Sequence, residues 1–131
     1  ILAGYTNEMN EMLKVNPGFE SRIQFKVDFP DYTEDELYEI FKKMAKDEKY
    51  KLSNNIKNLL KEEFCIEKRK SNFANARAVR NLFEKIKFEQ ADRVAENKYE
   101  DIDLIKKCDV ENAISKLEKK EKVQKRIGFA C

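Results

Sequence analysis

Histidine is absent from the 131 residues, and glycine, proline and cysteine occur only three, two and three times. Each shortage closes a route. Cys65, Cys108 and Cys131 are far apart, form no CxxC and have no histidine to join them, so neither a zinc site nor a disulfide framework is expected. Reduced thiols of a cytosolic protein are the simplest reading. The glycines stand at 4, 18 and 128. None fits G-x-x-x-x-G-K-[ST], the loop whose backbone amides and lysine cradle phosphates. No apolar run approaches the roughly 20 residues of a membrane helix, no segment reads as a signal peptide, and no repeat of 20–50 residues recurs.

What is abundant is charge. Charged residues make up 40% of the chain and apolar residues 41%, which suits short amphipathic helices with one buried stripe and a wide solvated face. The 27 basic and 25 acidic side chains leave +2, too little to attract nucleic acid by bulk electrostatics. Ile1-Leu2-Ala3-Gly4 reads as a chain entered within a buried strand, so a fragment is expected. Thr6 is placed to cap a short helix carrying Met9, Met12 and Leu13, which Asn16-Pro17-Gly18 stops. Ile23, Phe25, Val27 and Phe29 alternate with polar residues, the pattern of a strand with one apolar face, and Pro30 ends it.

Beyond Pro30 the periodicity turns helical. Thr33 and Glu36 form a capping box, Tyr32 is positioned to staple onto Leu37, and Leu37, Ile40, Phe41 and Met44 make one stripe. Ser53 is the expected cap of a second helix with Ile56, Leu59, Leu60 and Phe64 inward. A third starts near Asn75, carries Val79, Leu82, Phe83 and Ile86, and extends to about Asn97. Asp109 is the expected cap of a fourth, with Val110, Ala113, Ile114 and Leu117 inward, and the lysine-rich stretch from Lys119 to Arg126 is expected to fray. The fold expectation is mainly α: a strand–helix–strand remnant over 1–30, a domain of about four helices over 31–118, and a polar tail over 119–131.

Three segments stand out in order: Ala3-Gly4-Tyr5, Asn16-Pro17-Gly18-Phe19-Glu20-Ser21-Arg22-Ile23 with Phe29-Pro30-Asp31-Tyr32 after it, and Phe73-Ala74-Asn75-Ala76-Arg77-Ala78-Val79-Arg80-Asn81. Together they resemble one branch of the AAA+ ATPases, that of the red-type rubisco activases, stage V sporulation protein K and the type VII secretion ATPases. The resemblance spans about residues 1–117. It implies the end of an α/β nucleotide-binding core followed by a helical lid, in a subunit that binds ATP and Mg2+, joins neighbouring subunits in a ring, a hexamer by resemblance, and works on a protein substrate in the cytoplasm.

The resemblance also implies roles. Tyr5, with Thr6 and Asn7 as alternatives, falls where such proteins carry a first polar sensor; a plain strand-to-helix turn explains those residues equally. Arg22 falls at the arginine finger, supplied to the neighbouring subunit, where a permanently charged fork suits the charge spread over a transferring phosphoryl group. Arg77 falls at the second sensor, at a helix start that already favours anions. Arg80 lies one turn on, as support or interface. On chemistry alone, Arg22 reads as a solvated arginine at a strand start, and Arg77 and Arg80 as surface arginines packing their stems on the helix. Neither the phosphate cradle nor an apolar strand ending in Asp-Glu occurs in the chain, so it is expected to be inactive alone. The Lys- and Asn-rich composition, that of an AT-rich bacterial genome, tilts the reading toward the sporulation-type member. A stand-alone helical interaction module is the alternative, and a nucleic-acid binder, lacking a concentrated basic face with interleaved aromatics, ranks last.

Overall fold

A computed structural model describes residues 1–15, 18, 21–70, 73–97 and 100–127, with backbone only at 118 and 120–127. The helix stop expected at Asn16-Pro17, together with Phe19 and Glu20, lies outside the described residues, as do Gly128 and Cys131. The chain divides into two units, residues 1–31 and 32–131.

The first unit contains one described helix, α1 (Thr6–Val15). It begins one residue before the expected cap could act: Thr6 is already helical, and the Tyr5 carbonyl accepts the Met9 N–H at 2.9 Å. Met9, Met12 and Leu13 are half-buried, as their spacing predicts, but α1 buries nothing fully. The two expected strands do not form. Residues 1–3 and 23–29 carry no ladder, and Phe25, Val27 and Phe29 are exposed. Alternation specifies which face of a strand is apolar, but a strand exists only through hydrogen bonds to a neighbour, and these segments have none among the described residues.

The second unit is helical. In α2 (Glu34–Asp47) the capping box forms in full: the Thr33 hydroxyl accepts the Glu36 N–H at 3.3 Å, and the Glu36 carboxylate accepts the Thr33 N–H at 2.8 Å. Tyr32 is 43% exposed and is not among the residues of the core cluster. The helix ends in a Schellman turn, with the Lys49 N–H on the Lys46 carbonyl (3.0 Å) and the Tyr50 N–H on the Ala45 carbonyl (2.7 Å). That geometry puts Lys49 at φ 65°, where glycine is the usual occupant.

Two residues, β1 (Lys51–Leu52), then pair in parallel with β2 (Leu104–Ile105), Lys51 opposite Leu104 and Leu52 opposite Ile105. This small clip has no periodic signature and was not expected. The next helix, α3 (Lys57–Lys68), is not capped by Ser53. Its N-cap is Ile56, the Ser53 hydroxyl donates to Asn55 Oδ1 (2.7 Å), and the Ser53 carbonyl accepts the Ile56 N–H in a preceding turn. Two long helices follow, α4 (Ala76–Glu96) and α5 (Lys107–Ile127). The backbone of α5 is helical through the lysine-rich stretch that was expected to fray.

The helical stripes meet as the periodicity predicts. Leu37, Phe41, Ile56, Leu60, Phe64, Val79, Leu82, Phe83, Ile86, Val110 and Ala113 form one buried cluster, with Ala45 and Ile105 added. Phe83 is central: Phe41 meets its ring edge-to-face at 5.3 Å, and Tyr50 does so at 6.0 Å. α5 packs on α4, which packs in turn on α2, and α2 rests on α3.

Candidate functional site

The site begins with the way α4 starts. Asn75 is its N-cap, and the Asn75 carbonyl accepts the Ala78 N–H at 2.9 Å. Its backbone has φ 48° and ψ −127°, a region a side chain rarely enters. The Asn75 side chain makes no cap bond to the helix. Its Oδ1 instead accepts the N–H of Tyr32, at 3.1 Å.

The rotation of α4 is set by Val79, Leu82, Phe83 and Ile86, all buried. At 3.6 residues per turn, Arg77 then lies nearly opposite the core and Arg80 on its flank, and both are exposed. Neither guanidinium makes a hydrogen bond or ion pair with a described residue. The first turn of α4 contains no acidic residue, so nothing within it offsets the partial positive charge of the helix start. Two free guanidiniums on the opening turns of a helix form a surface suited to phosphate oxygens. The residues therefore fit the anion that the resemblance implies.

The contrast within α4 is informative. Arg93, four turns further on, is bound on every side. Its Nε and Nη2 hold the two oxygens of Asp109 at 2.7 and 3.0 Å, Nη1 reaches Glu100 at 2.8 Å, and Nη2 also donates to the Leu104 carbonyl at 2.8 Å. The Asp109 carboxylate is 1% exposed and also accepts the Lys106 N–H at 2.8 Å. Hydrogen bonding to Asp109, against the cost of burial, holds the Arg93 pKa above its ordinary value. Lys106 bonds to Glu100 and keeps that carboxyl below its ordinary range. Asp109 is thus not the N-cap expected from sequence but the third residue of α5, reaching back to the backbone before the helix. Gln90, buried on the same helix, donates to the Ile102 carbonyl at 2.7 Å. These bonds fix residues 100–106 and are structural.

Arg22 and Tyr5 belong to the first unit. Arg22 is exposed in the turn at residues 21–22, beside Ser21, whose hydroxyl donates to the Gly18 carbonyl at 3.1 Å. Tyr5 is exposed just before α1, and Thr6 and Asn7, also exposed, open that helix. Of the residues singled out in sequence, Arg77 and Arg80 are brought together on α4. Sequence reasoning missed the Arg93–Asp109 pair and the long bond of Asn75. A cleft of about 260 Å³ in the second unit, with Glu63, Glu67, Lys70, Asn81 and Lys85 among its lining, includes neither Arg77 nor Arg80. Among the described residues no cluster of three or more acidic or cysteine side chains could hold a metal, and no helix is long and apolar enough to cross a membrane.

Comparison with known proteins bears on the same region. The family model described as "AAA lid domain" matches residues 33–120. The chain is 37% identical over 94 residues to Protein CbbX of Cereibacter sphaeroides, covering 72% of this chain and 30% of that protein. It is 42% identical over 88 residues to Stage V sporulation protein K of Bacillus subtilis (strain 168), covering 65% of this chain and 27% of that protein. It is 35% identical over 94 residues to the chloroplastic ribulose bisphosphate carboxylase/oxygenase activase of Cyanidioschyzon merolae (strain NIES-3377 / 10D), covering 72% and 32%. The chain thus spans under a third of the length of these relatives.

Proposed function

The chain belongs to the AAA lid domain family, and from that premise we propose that it is the lid-bearing part of an ATPase subunit that couples ATP binding and hydrolysis to the remodelling of a protein partner. The observation that carries this reading is the pair of exposed, unpaired guanidiniums, Arg77 and Arg80, on the first turns of α4. Residues 1–30 are read as the closing segment of the nucleotide-binding core, and the helices from residue 31 as its lid. ATP, entering with Mg2+, supplies the phosphoryl group whose transfer to water drives the cycle. Arg77 binds and orients a phosphate through charge and a forked donor set, and Arg80 supports it. Because α4 is rigidly packed through Val79, Leu82, Phe83 and Ile86, a pull on Arg77 is felt by the whole lid.

Arg22 acts as the finger toward the neighbouring subunit of a homo-oligomeric ring, a hexamer in this reading. Tyr5 lies in the first sensor region. The cytoplasm is the proposed compartment. The name of one relative states that it is an activase of ribulose bisphosphate carboxylase/oxygenase. The Lys- and Asn-rich composition here favours the sporulation-type member instead.

The test is made in the intact subunit. Arg77→Ala should weaken ATP binding by about tenfold or more, the loss of a charged hydrogen bond. Arg22→Ala should lower kcat by about 10³-fold with ATP affinity less affected. Mixing Arg22→Ala subunits with subunits lacking a phosphate cradle should restore some activity, because one interface of a mixed ring then carries both parts. Unchanged nucleotide affinity in Arg77→Ala would overturn the phosphate-binding role of Arg77, and unchanged hydrolysis in Arg22→Ala would remove the finger.

A further inference from the structure

Asparagine at an N-cap ordinarily turns its side-chain oxygen onto the second or third amide of its own helix. Asn75 does not: its Oδ1 bonds the Tyr32 amide, 43 residues back along the chain. Its backbone also sits at φ 48° and ψ −127°, a conformation glycine would adopt with far less strain. A helix start that forgoes its local cap and retains backbone strain, both at the same residue, is held by something outside the helix.

The bond joins two places that matter for the function proposed above. One is the helix start that carries Arg77, two residues on. The other is Tyr32, the first residue of the second unit, which follows directly on Asp31 and precedes the Thr33–Glu36 capping box of α2. The Tyr32 ring is exposed and outside the core. The hydrogen bond to Asn75 registers this residue against the start of α4. We propose that Asn75 is a positioning residue that clamps the entry of the helical unit to the start of the Arg77 helix, so that a phosphate drawn to Arg77 acts on the segment leading into the lid. The inference rests on the lid reading and deepens it.

Three variants separate the clamp from its consequence. Asn75→Gly removes the acceptor while tolerating the backbone conformation, so the fold is kept. Asn75→Ala removes the acceptor and meets the strain. Asn75→Asp keeps an acceptor oxygen and should restore the bond to the Tyr32 amide, but its charge at the start of α4 opposes a phosphate, so it is read by exchange alone. In this chain, the Tyr32 amide should exchange its hydrogen about fivefold or more faster in Asn75→Gly than in wild type, with thermal stability equal or higher, and near the wild-type rate in Asn75→Asp. In the intact subunit, Asn75→Gly should weaken ATP affinity by about fivefold or more, within the range of ordinary coupling between sites. A merely structural asparagine would lower stability and leave affinity in place.

Unaltered Tyr32 exchange in Asn75→Gly would overturn the clamp. Faster exchange with unaltered ATP affinity would overturn the positioning role, provided Arg77→Ala in parallel does weaken binding. If Arg77→Ala leaves binding intact, the phosphate-binding role of Arg77 falls and the positioning role falls with it, while the Tyr32 exchange still reports on the hydrogen bond.

Discussion

Asp109 is a carboxylate at 1% exposure whose charge is met by the two-point grip of Arg93. Removing a charge from water is costly, and the grip compensates only while both partners are present. Arg93→Met strands the carboxylate among buried neighbours and should destabilise the helical unit by about 3–5 kcal/mol, read from urea unfolding. Replacing both, Arg93→Met with Asp109→Leu, should return much of that loss, because no unpaired charge is left behind. An exposed pair such as Lys42–Glu39 (3.0 Å) is a control, expected to be worth well under about 1 kcal/mol. A loss below about 1 kcal/mol in Arg93→Met would mean that water reaches Asp109 and the pair is screened. The same residue shows a limit of sequence reading. Asp109 looks like a helix cap from its place before Val110, and nothing local announces a partner sixteen residues earlier. Arg77, Arg80 and Arg93 are indistinguishable in composition; only the rotation of α4 about its buried stripe separates the free from the bound.

At the scale of elements, α2 has both ends fastened. Its start is the Thr33–Glu36 box, in which backbone and hydroxyl bonds from Thr33 lower the Glu36 pKa. Its end is the Schellman turn at Lys49, exposed and at φ 65°. A lysine pays a steric cost there that glycine avoids, and no described contact of its side chain would be lost. Lys49→Gly should therefore stabilise the unit by about 0.5–1 kcal/mol, seen as a higher Tm. A lower Tm would mean that the lysine side chain contributes more than the turn costs. The four helices of the second unit were legible because periodicity is local: Leu37, Phe41, Leu60, Phe64, Val79, Leu82, Phe83, Ile86, Val110 and Ala113 could be assigned inward from spacing and are buried. The Thr33–Glu36 box was legible for the same reason. The β1–β2 clip was not, since two residues carry no period. The strands expected over 1–3 and 23–29 failed in the opposite sense, showing a clear period but no partner to pair with.

For the whole molecule, apolar burial is concentrated on one side of residue 32. Among the described residues every fully buried hydrophobic lies between Leu37 and Ala113, whereas α1 buries none, and Ile1, Leu2, Phe25, Val27 and Phe29 are exposed in the first unit. The stability of the helical core should then be indifferent to the first 31 residues. A chain shortened to residues 32–131 should unfold cooperatively, with a Tm and urea dependence close to those of the full chain, because the urea dependence follows the area exposed on unfolding and that area lies in the retained part. The two chains should differ in association. Apolar side chains left in water favour self-association, and extended segments with unpaired amides and carbonyls offer an edge to another copy. Sedimentation should therefore show concentration-dependent association of the 131-residue chain and a monomer for residues 32–131. Equal association would place the contact on the helical unit, with the exposed Phe88 of α4 as the first residue to test. A large fall in Tm on shortening would show instead that residues 1–31 contribute to the core.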